Sequence, residues 1–101
     1  MKCKVVFRKE VEDDIYAAYR WYEEKSIGLG EEFLRVFYSS ISSMEHYPLA
    51  RQVVYRKFRR YLLGRFPYSL YYSTDNKTII VFGVLHGARD KRVIEEVLAS
   101  R

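Results

Sequence analysis

The residues Thr78-Ile79-Ile80-Val81-Phe82-Gly83-Val84-Leu85 form an almost unbroken apolar run. A run this short suits a strand better than a helix, and a strand without a polar face has to be covered on both sides. This predicts the central strand of a sheet, buried on both faces or nearly so. It is the last of three β-type runs within residues 56–89, joined by two short turns and closing on the polar knot His86-Gly87-Ala88-Arg89-Asp90. The first of these runs, residues 54–63, mixes aromatic and aliphatic residues with positive charge. Period two puts Val54, Arg56, Phe58, Arg60 and Leu62 on one face and Tyr55, Lys57, Arg59, Tyr61 and Leu63 on the other. Neither face is purely apolar, so this strand is expected to serve a core and a basic surface together. The turn Gly64-Arg65-Phe66-Pro67 follows, with Pro67 where a strand begins and a missing N–H costs least. Residues 68–73 form the next strand, and Thr74-Asp75-Asn76-Lys77 has the composition of a hairpin turn.

Upstream, Lys4-Val5-Val6-Phe7 is short and β-branched and reads as a first strand that joins the later sheet. From about Lys9 the period changes. Val11, Ile15, Ala18, Tyr19 and Tyr22 fall at helical spacing, with Glu10, Glu12, Asp13 and Asp14 in the first turn, where the helix dipole favours anions. The helix ends near Lys25. In Ser26-Ile27-Gly28-Leu29-Gly30 the two glycines can take positive φ, and Glu31-Glu32 open a second helix. Its stripe of Leu29, Phe33, Val36, Phe37, Ile41 and Met44, with the small Ser40 among them, is expected to cover the sheet. Tyr47-Pro48 stops it, because proline disfavours helix in the residue before it. In residues 91–101, Val93, Val97 and Leu98 predict a short terminal helix. The order defines a small two-layer α+β domain spanning residues 1–101: an N-terminal strand and helix hairpin packed on a mainly antiparallel sheet, with a short C-terminal helix.

The chain has 101 residues, 49% of them hydrophobic and 17% aromatic, which excludes a disordered tail and allows one core. Its net charge of +5 is uneven. Residues 1–50 hold seven Lys and Arg against nine Asp and Glu, and residues 51–101 hold eleven against four. Between Arg51 and Arg65 there are six cations and no anion, a patch suited to a nucleic acid or an acidic protein segment. Cys3 is alone, which excludes an internal disulfide or a cysteine metal site and reads as a small buried thiol. The chain opens without a signal pattern and lacks an apolar run of the ~20 residues that span a membrane, so a cytoplasmic protein is expected.

Taken together, Ile27-Gly28-Leu29-Gly30-Glu31-Glu32-Phe33, Tyr47-Pro48, Arg65-Phe66-Pro67-Tyr68 and Val84-Leu85-His86-Gly87-Ala88-Arg89-Asp90 resemble the RelE/ParE toxin superfamily in order and spacing. The resemblance implies a small bacterial toxin encoded beside an antitoxin, whose acidic or amphipathic segment wraps and silences it. Operator DNA would be bound only through the antitoxin. Two activities occur on this fold: cleavage of messenger RNA on the ribosome, and poisoning of DNA gyrase without nuclease chemistry.

Metal-free RNA cleavage needs a base for the 2′-hydroxyl, cations for the crowded phosphate and an acid for the leaving oxygen. Arg89 matches one arginine of the ribonuclease branch. Where that branch usually carries an arginine after the tyrosine matching Tyr68, this chain has Ser69, and residues 91–101 contain neither an aromatic residue nor a histidine. His86 is the one histidine near the cations, with an unperturbed pKa near ~6.5 suited to proton transfer. The competing reading is a strand-end histidine that bonds the following turn and helps fix Arg89. His46, at a helix end, reads as a partner for the helix C-terminus. Glu45 with His46 and Asp90 with Arg89 read as surface or turn ion pairs. Two histidines without carboxylates at ligand spacing do not make a metal site, and no cofactor is expected. Tyr55, Tyr61, Tyr68, Tyr71 and Tyr72 are interleaved with cations and could stack bases, although at least half are expected in the core.

The expected function is therefore a ParE-like, non-enzymatic toxin that binds DNA gyrase and is neutralised by a cognate antitoxin. Its binding set would be Arg56, Lys57, Arg59, Arg60, Arg65, Arg89 and Arg101. The alternatives are a ribosome-dependent mRNA endoribonuclease using His86 and Arg89, and a relative that binds its partner without being toxic.

Overall fold

In the computed structural model, which describes residues 2–101, the chain runs β1 (Lys4–Phe7), α1 (Glu10–Lys25), α2 (Leu29–His46), β2 (Val53–Tyr55), β3 (Phe58–Leu62), β4 (Tyr68–Asp75), β5 (Thr78–His86) and α3 (Lys91–Ser100). The strands make one sheet in the order β1-β5-β4-β3-β2, with β1 parallel to β5 and every other pair antiparallel. The α+β architecture expected from the sequence is present, and β5 is buried on both faces over most of its length. It lies between β1 and β4, and β4 takes the middle of the sheet.

The basic run at residues 54–63 is not one strand. Arg56 adopts φ 50 in a two-residue turn with Lys57, so the segment folds back as the β2–β3 hairpin, with Tyr55 opposite Phe58. Neither turn residue is a glycine or asparagine, and the reversal is carried by packing. The Tyr55 and Phe58 rings stack at 6.2 Å and 9° between planes. From Phe58 onward the expected alternation holds: Phe58 and Arg60 face one side of the sheet, Tyr61 and Leu63 the other. Arg56 belongs to neither face.

The helix hairpin covers one face through Val11, Ala18, Phe33, Phe37, Ile41 and Met44, which pack on Leu70, Tyr72, Ile79, Val81 and Val84. Tyr22, Phe33, Phe66 and Tyr68 interlock edge-on and stacked at 4.7–6.1 Å between centroids. The Tyr72 hydroxyl donates to the Pro48 carbonyl at 2.9 Å, tying the middle strand to the end of α2. Only one of the two glycines in the helix turn needs positive φ: Gly28, at 90°. Gly30 lies inside α2, where a Cβ would sit 2.9 Å from the Tyr19 carbonyl oxygen, so its role is close helix approach. Glu23, from the end of α1, accepts from the Gly28 and Gly30 amides at 3.0–3.1 Å and satisfies orphan donors at the start of α2. Cys3 is half-buried just before β1.

The opposite face carries a smaller cluster, Phe58, Tyr71, Phe82, Leu85 and Leu98, under α3. Asp90 caps α3, its Oδ1 accepting from the Arg92 amide at 2.8 Å, so its work is local. The far end of α3 is locked by Arg101. Its guanidinium meets the Asp14 carboxylate at 2.5 and 3.0 Å and donates to the Phe82 carbonyl at 3.1 Å, and the Val84 amide donates to Asp14 at 3.0 Å. The β1 pairing ends at Val81, so these two side chains satisfy the exposed edge of β5 beyond it. Gly83 is part of the same lock, since a Cβ there would lie 2.9 Å from the Arg101 Nη1.

Candidate functional site

Between α3 and the sheet lies a cavity of about 350 Å³ that gathers basic residues from three elements. β3 supplies Arg60, the loop after β5 supplies Arg89, and the first turn of α3 supplies Lys91. Ser69 and Tyr71 of β4 lie at its base, 3% and 4% exposed, with Ile94 and Leu98 of α3 opposite and Glu95 as an anion in the lining. Alternation along β4 explains the base. Leu70 and Tyr72 turn to the helix hairpin, so Ser69 and Tyr71 face α3.

The seven cations expected to form the binding set separate into two groups. Arg60 and Arg89 share the cavity, and Arg56 and Lys57 stand exposed at the β2–β3 tip. The Lys57 ammonium lies 5.3 Å from the Phe82 ring centroid, which places it toward the α3 side. Among the described residues, none of these four has a carboxylate at ion-pair distance. The other three are engaged elsewhere. Arg59 donates to the Arg51 carbonyl at 2.6 Å, Arg65 lies 2.9 Å from a Glu32 carboxylate oxygen, and Arg101 is held by Asp14 with its side chain 16% exposed. Sequence reasoning missed Lys91, although its place two residues after Arg89 at a helix start was a usable signal.

His86 has the position of a turn-fixing residue. Its Nδ1 accepts from the Ala88 amide at 2.9 Å, and its carbonyl accepts from the Arg89 amide at 3.2 Å. The neutral ring therefore carries its proton on Nε2, and protonating Nδ1 would break the turn that orients Arg89. The Tyr68 ring meets the imidazole edge-on at 5.0 Å. Burial pushes the Tyr68 phenol above its ordinary pKa, while Arg89 pulls it partly back. The His46 Nδ1–H donates to the Ser42 carbonyl, 2.9 Å away, inside the last turn of α2. Glu45 pairs with Lys2 at 3.2 Å, not with its neighbour His46. All five interleaved tyrosines are at least partly buried, Tyr71 and Tyr72 almost completely.

No group of three or more His, Cys, Asp or Glu residues among the described ones is arranged to hold a metal, and no helix is long and apolar enough to cross a membrane. A second concavity, about 820 Å³, runs between α1 and α2 past the end of β1. Phe7, Tyr16 and Tyr38 are 43%, 61% and 63% exposed along it, and its charges are mixed.

A small sheet with a helix hairpin on one face and a short helix over a cationic cavity on the other defines a basic interaction domain. The profile of the family described as "ParE toxin of type II toxin-antitoxin system, parDE" matches residues 5–91. The chain belongs to that family. Its place in a type II toxin–antitoxin pair gives it an antitoxin as partner. Among solved structures, one described as "Chromosomal ParDE TA system from P. aeruginosa" shares the fold at TM-score 0.72 and 13% identity, over 84% of this chain and 96% of that one. No curated protein matches the sequence.

Proposed function

We propose that this toxin acts in the cytoplasm by binding DNA gyrase, without catalysing a reaction of its own, and that its antitoxin silences it by covering the cations of the α3 side. The observation that carries this reading is the pairing of an unneutralised cationic cavity with a histidine committed to a turn. Arg60, Arg89 and Lys91 converge where no imidazole lines the wall, and the nearest one uses its Nδ1 to hold Ala88. Such a surface suits an anionic or polar partner, and the histidine nearest to it is engaged in the turn that precedes Arg89.

The test is to mix antitoxin-free protein with gyrase, ATP and supercoiled plasmid and to look for linear DNA after detergent and protease treatment. Accumulation in proportion to toxin supports the reading. Its absence from folded, growth-inhibiting protein overturns it in favour of messenger cleavage on the ribosome, where His86→Ala with Arg89→Ala would then abolish toxicity. Deleting residues 91–101 should weaken the poison. For the antitoxin, Arg56→Glu with Arg60→Glu should reduce affinity by tenfold or more, and unchanged affinity would contradict the shared face.

A further inference from the structure

We propose that the cavity between α2 and β3, on the hairpin side of the sheet, binds the terminal phosphomonoester of a small molecule, with Arg35, Ser39 and Arg51 as its donors. This goes beyond the gyrase reading and uses the opposite face of the sheet. The cavity measures about 360 Å³. Arg35 and Ser39 are four residues apart on α2 and so share one face of the helix. Tyr61 and Leu63 reach it from the β3 side, where alternation turns them toward the hairpin. Arg51 closes it from the loop before β2. That loop is fastened twice: the Tyr72 hydroxyl donates to the Pro48 carbonyl at 2.9 Å, and the Arg59 guanidinium donates to the Arg51 carbonyl at 2.6 Å. The Arg51 guanidinium in turn lies over the Tyr61 ring, 4.2 Å from its centroid, so its direction is set by packing.

Charge and donor count choose the ligand. The lining holds two arginines and no carboxylate, and neither arginine has an acidic partner at ion-pair distance among the described residues. Glu32, one turn before Arg35, is taken by Arg65 at 2.9 Å. Tyr61 reports the resulting field: the Ser43 hydroxyl and the Arg51 guanidinium draw its phenol below the ordinary pKa, against the opposing effect of burial. A carboxylate is satisfied by one arginine fork, and a phosphodiester brings a single charge. A phosphomonoester carries about −1.5 to −2 charge and three terminal oxygens, which matches two guanidinium groups and a serine hydroxyl. Leu62, 62% exposed at the rim, and the buried Leu63 offer the carrier an apolar surface, and the volume admits a sugar or a small ring beside the phosphate.

The experiment titrates the purified protein with adenosine 5′-monophosphate by calorimetry, with inorganic phosphate, glutarate and a single-stranded DNA oligonucleotide lacking terminal phosphates as competitors, and follows the Tyr61 ζ-carbon by NMR. The mononucleotide should bind at a single site. Arg35→Gln, at an exposed position of α2, and Arg51→Gln should each weaken binding roughly tenfold while the unfolding midpoint is retained. Tyr61→Phe, which keeps a ring under Arg51 and identifies the resonance, should weaken binding less than about threefold. Saturation should move the Tyr61 phenol back up toward its ordinary pKa, because the bound dianion offsets Arg51. Displacement by inorganic phosphate locates recognition in the phosphate alone, and failure to displace adds the carrier to what is recognised; either supports the site. No binding by folded protein, displacement by glutarate or the oligonucleotide at concentrations equal to that of the mononucleotide, or an unchanged Tyr61 titration would overturn it. So would a loss from Arg60→Ala/Arg89→Ala as large as that from Arg35→Gln, which would put the phosphate under α3. Because gyrase is absent from the assay, these failures are separate from failure of the gyrase reading.

Discussion

The two faces of the sheet are built to different ends. On the hairpin side, α1 and α2 bury a continuous aromatic and aliphatic core, and some charges at its margins find partners, Arg65 with Glu32 and Glu23 with the start of α2, while Glu10 Oε1 is buried without a hydrogen bond. On the other side a ten-residue helix covers a small cluster, is fastened mainly at its ends, and leaves Arg60, Arg89 and Lys91 without acidic partners. The difference separates a thickly covered face that carries most of the core from a thinly covered one whose cations are open to a partner.

The largest stability effect should come from the hairpin side. Phe33→Ala empties a fully buried ring position and should cost about 3–5 kcal/mol in denaturant unfolding. Next is the lock of α3. Asp14→Ala leaves Arg101 uncompensated at a site where both side chains are mostly buried, and should cost about 3 kcal/mol while loosening α3, seen as early amide exchange in residues 91–101. If α3 stays protected in that variant, the pair is not what fastens it. Gly30→Ala forces α1 and α2 apart at Tyr19 and should cost about 1–3 kcal/mol. Asp90→Ala removes a cap and should cost about 1 kcal/mol, confined to α3 helicity. Arg65→Ala breaks a surface pair and should cost under about 1 kcal/mol. A reversal of the first and last of these would dissolve the contrast between the faces.

Periodicity made most of the scaffold legible. The boundaries of β1, both long helices and the stop at Tyr47-Pro48 follow from spacing and from the local chemistry of proline, glycine and acidic first turns. Long-range events were not legible in the same way. The reversal at Arg56-Lys57 has no glycine or asparagine to announce it and depends on Tyr55 meeting Phe58. Nothing local marks Arg101 as the partner of Asp14, since the contact spans nearly the whole chain and exists because β1 stops short of the end of β5. The cationic set was visible as composition, but composition cannot separate an arginine that faces a cavity, such as Arg60, from its neighbour Arg59, which is spent on a backbone carbonyl.

The central claim is that the α3 side is the working face of the toxin. The most direct test compares wild-type protein, Arg60→Ala/Arg89→Ala and Arg20→Ala/Arg35→Ala in the gyrase cleavage reaction, after each is shown to keep its unfolding midpoint. The account predicts linear DNA from the wild type and from the α1/α2 variant, and at least a tenfold loss from the α3-side variant. Equal cleavage by both variants, or loss confined to the α1/α2 variant, would contradict it.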